Sequence, residues 1–289
     1  MNRRTVSGSS SGGQSILERL SRIDYDFAMR PTVVITGGSR GIGLATAEEF
    51  TRRDHRVVLV ARNPAAAGEA ARLGADLVTG DLSTCKGVRA VAEALAETCP
   101  RLDVLVHNAG IWPAARRLTE DGFEESFAVN HLAPFLLNHL LEDRLSRVVQ
   151  VTAGLYGTGR VDLARTPTGA DFSPLRTYAT TKLCNLTLMP LWAERWRPRD
   201  ITIDAVHPGV IRTGLGDRSG LAGALLKVAK RLWKAPADGA APVVRLALDQ
   251  AGTGRYFDVD RELPLAPVAA DPAQAERLWA QAAELTGVA

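Results

Sequence analysis

From Pro31 onward, short runs rich in β-branched residues alternate with longer stretches whose apolar residues recur every three or four positions. Thr32 to Ile35, Arg56 to Val60, Ala75 to Thr79, Leu102 to Val106, Arg147 to Thr152 and Ile201 to Val206 each predict a strand. Gly43 to Arg53, the alanine-rich stretch after Pro64, Val88 to Glu97 and Thr177 to Trp196 predict helices between them. Alternating β and α units imply a parallel sheet covered on both faces. The alternation therefore predicts an α/β fold: a single-domain, Rossmann-type doubly wound parallel sheet with helices on both faces. Ligands of such sheets lie at the carboxyl ends of the strands.

The remaining segments change this picture little. Residues 1–30 read as an extension ahead of a domain spanning 31–289. Its Ser7 to Gly13 stretch is almost all Ser and Gly and predicts a flexible tail. Ile16, Leu17, Leu20 and Ile23 fall at helical spacing. No continuous apolar core marks a secretory leader, and no run approaches the ~20 residues that span a bilayer. A net charge of +3, with 35 basic residues dispersed along the chain, makes no nucleic-acid stripe. Cys85, Cys99 and Cys184 show neither paired spacing nor a histidine cluster, so buried thiols in a reducing, cytoplasmic setting are expected and a metal site is not.

Chemistry concentrates at the strand ends. The first strand runs into Thr36-Gly37-Gly38-Ser39-Arg40-Gly41-Ile42-Gly43 and then a helix. Glycines allow the tight turn and let backbone N–H groups approach a pyrophosphate at the positive helix end. The second strand ends in Ala61-Arg62, without the acid that usually receives the ribose hydroxyls of NAD. Arg62, joined by Arg40, suits a 2′-phosphate instead, which favours NADP(H). Tyr178 and Lys182 stand one turn apart on a predicted helix and share a face. A nearby ammonium favours the phenolate, and the pair reads as a general acid/base.

Taken in order, these motifs resemble the classical short-chain dehydrogenase/reductase family from about Pro31 to the C-terminus. The glycine turn resembles its TGxxxGxG. Asp81, followed by Leu82, corresponds to the acid that meets the adenine ring. His107-Asn108-Ala109-Gly110 resembles NNAG, with His107 replacing the first Asn. Asn130 corresponds to the active-site asparagine, and Tyr178-Ala179-Thr180-Thr181-Lys182 to YxxxK. His207-Pro208-Gly209-Val210-Ile211-Arg212-Thr213 resembles the loop beside the nicotinamide. Asn130-His131-Leu132, Phe135-Leu136-Leu137 and Leu155-Tyr156 point to the retinol-dehydrogenase-like branch. The resemblance implies cofactor contacts from Gly37, Ser39, Arg40, Gly41, Ile42, Gly43, Arg62, Asp81, Leu82, Asn108, Ala109, Gly110, Tyr178, Lys182, Pro208, Gly209, Ile211 and Thr213. It also implies that Lys182 holds the nicotinamide ribose and that Asn130 helps bind a relay water. The long helices around Asn130 to Arg144 and Thr177 to Trp196 resemble the family's dimer-forming pair, which implies a homodimer or homotetramer.

One position departs. The family's serine, which polarises the substrate carbonyl, aligns with Ala153 in Val151-Thr152-Ala153-Gly154-Leu155-Tyr156-Gly157. Thr152 offers the nearest hydroxyl, but adjacent strand residues face opposite ways, so it serves only if the chain bends there. Asp162, Asp171, Ser173 and Thr177 are further polar candidates. The segment from Gly214 to Pro236 mixes leucines with basic residues and, by resemblance, covers a small-molecule substrate. The expected activity is NADP(H)-dependent interconversion of a carbonyl and a secondary alcohol on a largely apolar metabolite. The alternatives are a non-redox cyclisation, elimination or isomerisation at the same site, and a non-enzymatic NADP(H)-binding protein.

Overall fold

The structure is a computed structural model, and it describes residues 30–212, 234–249 and 251–288. The expected amphipathic segment before residue 30, Thr213 and nearly all of the expected substrate-covering stretch lie outside these residues.

The first half repeats strand and helix: β1 (Thr32–Thr36), α1 (Gly41–Arg52), β2 (Arg56–Ala61), α2 (Ala67–Leu73), β3 (Asp76–Thr79), α3 (Cys85–Thr98) and β4 (Val104–His107). A short helical turn (Glu125–Phe127) and a π turn (Ala128–Leu132) then lead into α4 (Ala133–Leu141). Next come β5 (Arg147–Val151), α5 (Pro174–Trp196), β6 (Thr202–His207) and α6 (Pro236–Leu248). The chain closes with β7 (Tyr256–Asp258), β8 (Arg261–Leu263) and α7 (Pro272–Thr286).

The sheet order is β3-β2-β1-β4-β5-β6-β7-β8. All pairs are parallel except the last. Order reverses between β1 and β4, and that crevice is where doubly wound sheets bind ligands. Alternation divides the core between two faces. Val33, Ile35, Val57 and Leu59 pack with Phe50 of α1 and Val243 of α6. Val34, Val58, Leu105 and Val148 pack under Leu95 of α3, Leu136 of α4, Leu183 of α5 and Leu278 of α7.

Two features exceed the expected pattern. The three-residue strands β7 and β8 extend the sheet, anchored by an internal ion network. Asp204 of β6 is fully buried and receives Arg255 N and Nη2, each at 2.8 Å, and Arg147 Nη1 at 3.2 Å. Such a charge is tolerable inside only because its oxygens are satisfied. The second feature is α7, which packs on α5 and α4. Trp279 reaches Trp192, Phe135 and His139 at ring separations of 4.4, 5.2 and 5.4 Å, with the Arg195 guanidinium 4.0 Å above it.

Candidate active site

At the crevice, Gly37 turns with φ of +65°, and a side chain there would press on the Ala109 backbone at 2.9 Å. A Cβ on Gly43 would lie 2.5 Å from Asn108 Nδ2 and from Gly37 O. The loops after β1 and β4 therefore touch backbone to backbone. Thr36, given no separate role by the sequence, is their clasp. Its hydroxyl donates to Val106 O at 3.2 Å and accepts from Asn108 N at 3.1 Å and Ala109 N at 3.0 Å. Asn108 Nδ2 returns to Thr36 O at 3.0 Å and Gly37 O at 3.1 Å.

Helix α1 begins here with no side-chain cap and no acid in its first turn. Its leading N–H groups at Gly41, Ile42 and Gly43 are thus available to an anion. Ser39 is half-buried beside them. Arg40 and Arg62 are exposed, and neither forms an ion pair among the described residues. At the end of β3, exposed Asp81 accepts from Ser83 N at 2.9 Å, while Leu82 packs against the core. Beyond β6, Pro208 leads to Gly209, whose φ is +91°, and buried Ile211 pairs with Lys234. Ile211 and Ile42 both crowd Gly239 of α6, which closes the loop over the start of α1. This donor set, an open helix start flanked by two guanidiniums without ion-pair partners among the described residues, fits a phosphorylated dinucleotide.

Across the crevice, α5 presents Tyr178 and Lys182, both buried. Asn130 sits in the π turn, a local over-widening that aims its side chain away from the helical ladder. Its Oδ1 accepts from Ile111 N at 2.8 Å, and its Nδ2 donates to Ile111 O at 2.9 Å and Thr181 Oγ1 at 3.1 Å. Asn185 Nδ2 donates to the Asn130 carbonyl at 2.7 Å, and Asn185 Oδ1 meets His131 Nδ1 at 3.0 Å. Gly110 adjoins Asn130 Oδ1 and Lys182 Nζ, with a virtual Cβ 3.5 and 3.7 Å from them. Trp112, which the motifs did not flag, stacks on Tyr178 at 5.3 Å and 21°, held by Nε1 donating to Pro174 O at 2.8 Å.

The electrostatics differ from the sequence expectation. Lys182 Nζ lies 5.8 Å from the Tyr178 ring centre and donates to Val151 O at 3.0 Å. With no close stabilisation, burial pushes the Tyr178 phenol up to about 12. The expected lowering is absent because desolvation outweighs the distant ammonium. Burial likewise brings Lys182 down to about 8.

The backbone stays extended at Ala153, with φ of −141° and ψ of 140°. No bend there swings Thr152 round, and its buried hydroxyl has no hydrogen-bond partner among the described residues. The other polar candidates serve local structure. Asp162 Oδ1 accepts from Ala164 N at 3.0 Å and Arg165 N at 3.2 Å. Asp171 lies 3.5 Å from Thr166 Oγ1, and Thr177 Oγ1 accepts from Ser173 N at 2.9 Å. Tyr156 accepts from Ala266 N at 2.9 Å and so ties the turn after β5 to the segment before α7. Among the described residues there is no cluster suited to a metal and no helix long and apolar enough to cross a membrane.

Comparison with known proteins agrees with this geometry. The model of the short chain dehydrogenase family matches residues 31–221. The chain is 34% identical to retinol dehydrogenase 14 of Mus musculus, covering 89% of this chain and 86% of that one. It is 35% identical to the "Putative daunorubicin C-13 ketoreductase DnrU" of Streptomyces sp. (strain C5), over 89% and 92% of the two chains. Among solved structures, a short chain dehydrogenase from Burkholderia cenocepacia J2315 in complex with NADP superimposes with a TM-score of 0.65. That match is 25% identical and covers 81% of this chain and 96% of the other.

Proposed function

Starting from the fact that the chain belongs to the short-chain dehydrogenase/reductase family, in its retinol-dehydrogenase-like branch, we propose that it is an NADP(H)-dependent oxidoreductase. In this proposal it interconverts a carbonyl and a secondary alcohol on a medium-sized, largely apolar metabolite. The observation that carries the reading is the meeting, at one crevice, of an anion cradle with exposed Arg40 and Arg62, which have no ion-pair partner among the described residues, and the buried set Asn130, Tyr178 and Lys182.

The cradle of Gly37, Ser39, Gly41, Ile42 and Gly43 would hold the pyrophosphate, Arg40 and Arg62 the 2′-phosphate, and Asp81 and Leu82 the adenine. Asn108, Ala109, Gly110, Pro208, Gly209, Ile211 and Thr213 would frame the nicotinamide. When bound, the cofactor exchanges a hydride with the substrate carbon. The protein's part is the proton. A phenol kept neutral by burial, at about 12, is a ready donor to a carbonyl oxygen. In the alcohol-oxidising direction it must lose that proton, and the Lys182 charge one turn away favours the phenolate. Asn130, bonded to both polar groups of Ile111 and to Thr181, locks the loop after β4 against α5. Ala153 stands where the family's carbonyl-polarising serine would be, and the Thr152 hydroxyl projects from the opposite side of the strand. Helices α4 and α5 are largely buried within the chain and α7 packs on them, so a homodimer or homotetramer would have to use other surface.

The test is steady-state turnover on apolar carbonyls, with product and nicotinamide absorbance followed together. Tyr178→Phe is expected to lower turnover by about 10²–10⁴-fold while leaving cofactor affinity nearly intact. Lys182→Ala should damage both. Product without nicotinamide turnover would favour the non-redox alternative, and a fully active phenylalanine variant would move the chemistry elsewhere.

A further inference from the structure

His107 departs from the family's motif, and its surroundings give that departure a role. It is the last residue of β4 and pairs in register with Gln150 of β5, so both side chains leave the sheet on the face covered by α4 and α5. The ring is 1% exposed. Its Nε2 lies 2.8 Å from Asn138 Oδ1 of α4. A carbonyl oxygen can only accept, so the proton of the neutral ring sits on Nε2 and Nδ1 carries a lone pair. That Nδ1 is buried and has no partner among the described residues.

Two further groups on this face are short of partners. Thr152 lies two residues beyond Gln150 and therefore projects from the same face; it is 4% exposed and its hydroxyl is unpaired. Lys182, also 4% exposed, spends one N–H on Val151 O, the carbonyl between Gln150 and Thr152. An ammonium has three N–H donors, and the other two have no partner among the described residues. A buried acceptor, a buried hydroxyl and an ammonium with spare donors thus share one face at the ends of β4 and β5, close enough for the Lys182 charge to act on His107. Folded proteins rarely leave such buried groups unmet. One bridging water satisfies them together.

We propose that His107 is a positioning residue for Lys182: its Nδ1, held as an acceptor by Asn138 and joined to the ammonium through a water shared with Thr152, keeps Lys182 protonated in a buried site. This deepens the oxidoreductase reading and rests on it for the purpose served, because only a charged Lys182 favours the Tyr178 phenolate. The device has a physical need. No carboxylate among the described residues holds the Lys182 charge, and burial alone brings it down to about 8. Among the described residues, the titratable groups shown to act on it or stand beside it are Tyr178 on its own helix and His107 on β4, with His131 held by Asn185 one turn further along α5. His107 serves as a neutral acceptor, since burial and the nearby Lys182 charge hold it down to about 4.

The experiment is an NMR titration of the lysine Cε resonances in the full chain without cofactor or substrate, with Lys182→Met assigning the signal. Because it reads Lys182 directly, it stands apart from the turnover tests, and a failure of either is seen separately. His107→Leu, which keeps bulk but no acceptor, should lower the Lys182 proton affinity about tenfold, in the range of one charge-assisted hydrogen bond. His107→Asn, which restores an acceptor, should recover at least half of that shift. In the active enzyme, the acid limb of the alcohol-oxidation pH profile should move up, because a less charged Lys182 favours the Tyr178 phenolate less. An unchanged Lys182 titration in folded His107→Leu would overturn the proposal. Equal losses in the Leu and Asn variants would overturn it too, since shape rather than an acceptor would then be what matters.

Discussion

The two banks of the crevice are made of different material. The bank formed by β1, β2 and the start of α1 is mostly backbone: open N–H groups, glycines without room for a side chain, and two exposed arginines. The bank formed by the π turn, α4 and α5 is mostly side chain, with Asn130, His131, Asn138, Tyr178, Lys182 and Asn185 all buried and three of them, His131, Asn185 and Asn130, bonded in a chain. A backbone cradle recognises an anion by geometry and tolerates water. A buried polar bank stakes stability on each bond, because every group removed leaves a partner unpaired in a low dielectric. The first should change function when its surface charges change, with little effect on folding. The second should couple catalysis, pH response and stability.

The largest test of that difference is Ala153→Ser. Ala153 is buried in extended backbone at the start of the second bank. If the carbonyl clamp is weakened there, one restored hydroxyl should raise reduction turnover, with an upper range of about 10²–10³-fold when its geometry is right. Thr152→Val should change turnover far less, because its hydroxyl lies on the opposite face. Steady-state rates of the two variants decide this. A serine variant no faster than its parent would mean that the substrate or another donor already supplies the bond.

Next in size is the response to acid. Burial brings both His107 and His131 down from 6.5 to about 4. Between those values the unfolded chain takes up protons that the folded chain refuses, so stability falls as pH drops from 6.5 towards 4 and is fully present above 6.5. The loss is roughly 3 kcal/mol per ring. Urea unfolding at pH 7 and pH 4.5 should show it, and His107→Asn with His131→Asn should have a shallower slope than the parent. Equal slopes would show that these rings are not protected, and the second bank would lose its distinction.

This contrast also explains what was legible in the sequence. The cradle is contiguous, Thr36 to Gly43, and its partner loop is the next strand end, so a linear reading finds most of it. The second bank joins residues far apart: His107 with Asn138, His131 with Asn185, Asn185 with Asn130. A histidine within a strand ending gives no hint of an asparagine on a later helix. Strands β7 and β8 are too short to show a period of two, and their anchor, Asp204, looks like an interruption in β6 until Arg147 and Arg255 are seen around it. Helix α7 did carry a signal, since Ala275, Leu278, Trp279 and Ala282 fall at helical spacing. The Tyr178 shift runs opposite to the sequence expectation for a physical reason. Four residues on one helix guarantee a shared face, but the Lys182 ammonium turned to Val151 O, and the distance set the balance.

The smallest expected effect belongs to the first bank, and it probes that bank alone. Arg62 is exposed at the end of β2, where an acid would receive ribose hydroxyls, and it has no ion-pair partner among the described residues. A guanidinium gains a charge-assisted pair only when a phosphate is present, so NADP(H) should bind more tightly than NAD(H). Arg62→Asp removes that attraction and adds a repulsion, and should cost NADP(H) about tenfold in affinity, equivalent to ~1.4 kcal/mol. NAD(H) should hold or gain. Since nothing in the fold depends on the Arg62 head group, the melting temperature should stay within about a degree of the parent, as for most surface substitutions. Calorimetric titration with both cofactors, beside a thermal scan, measures the two halves of the claim. Equal affinities in the parent would remove the case for a 2′-phosphate site. A marked fall in melting temperature with no change of preference would show that the arginine is structural and that the two banks are not so different.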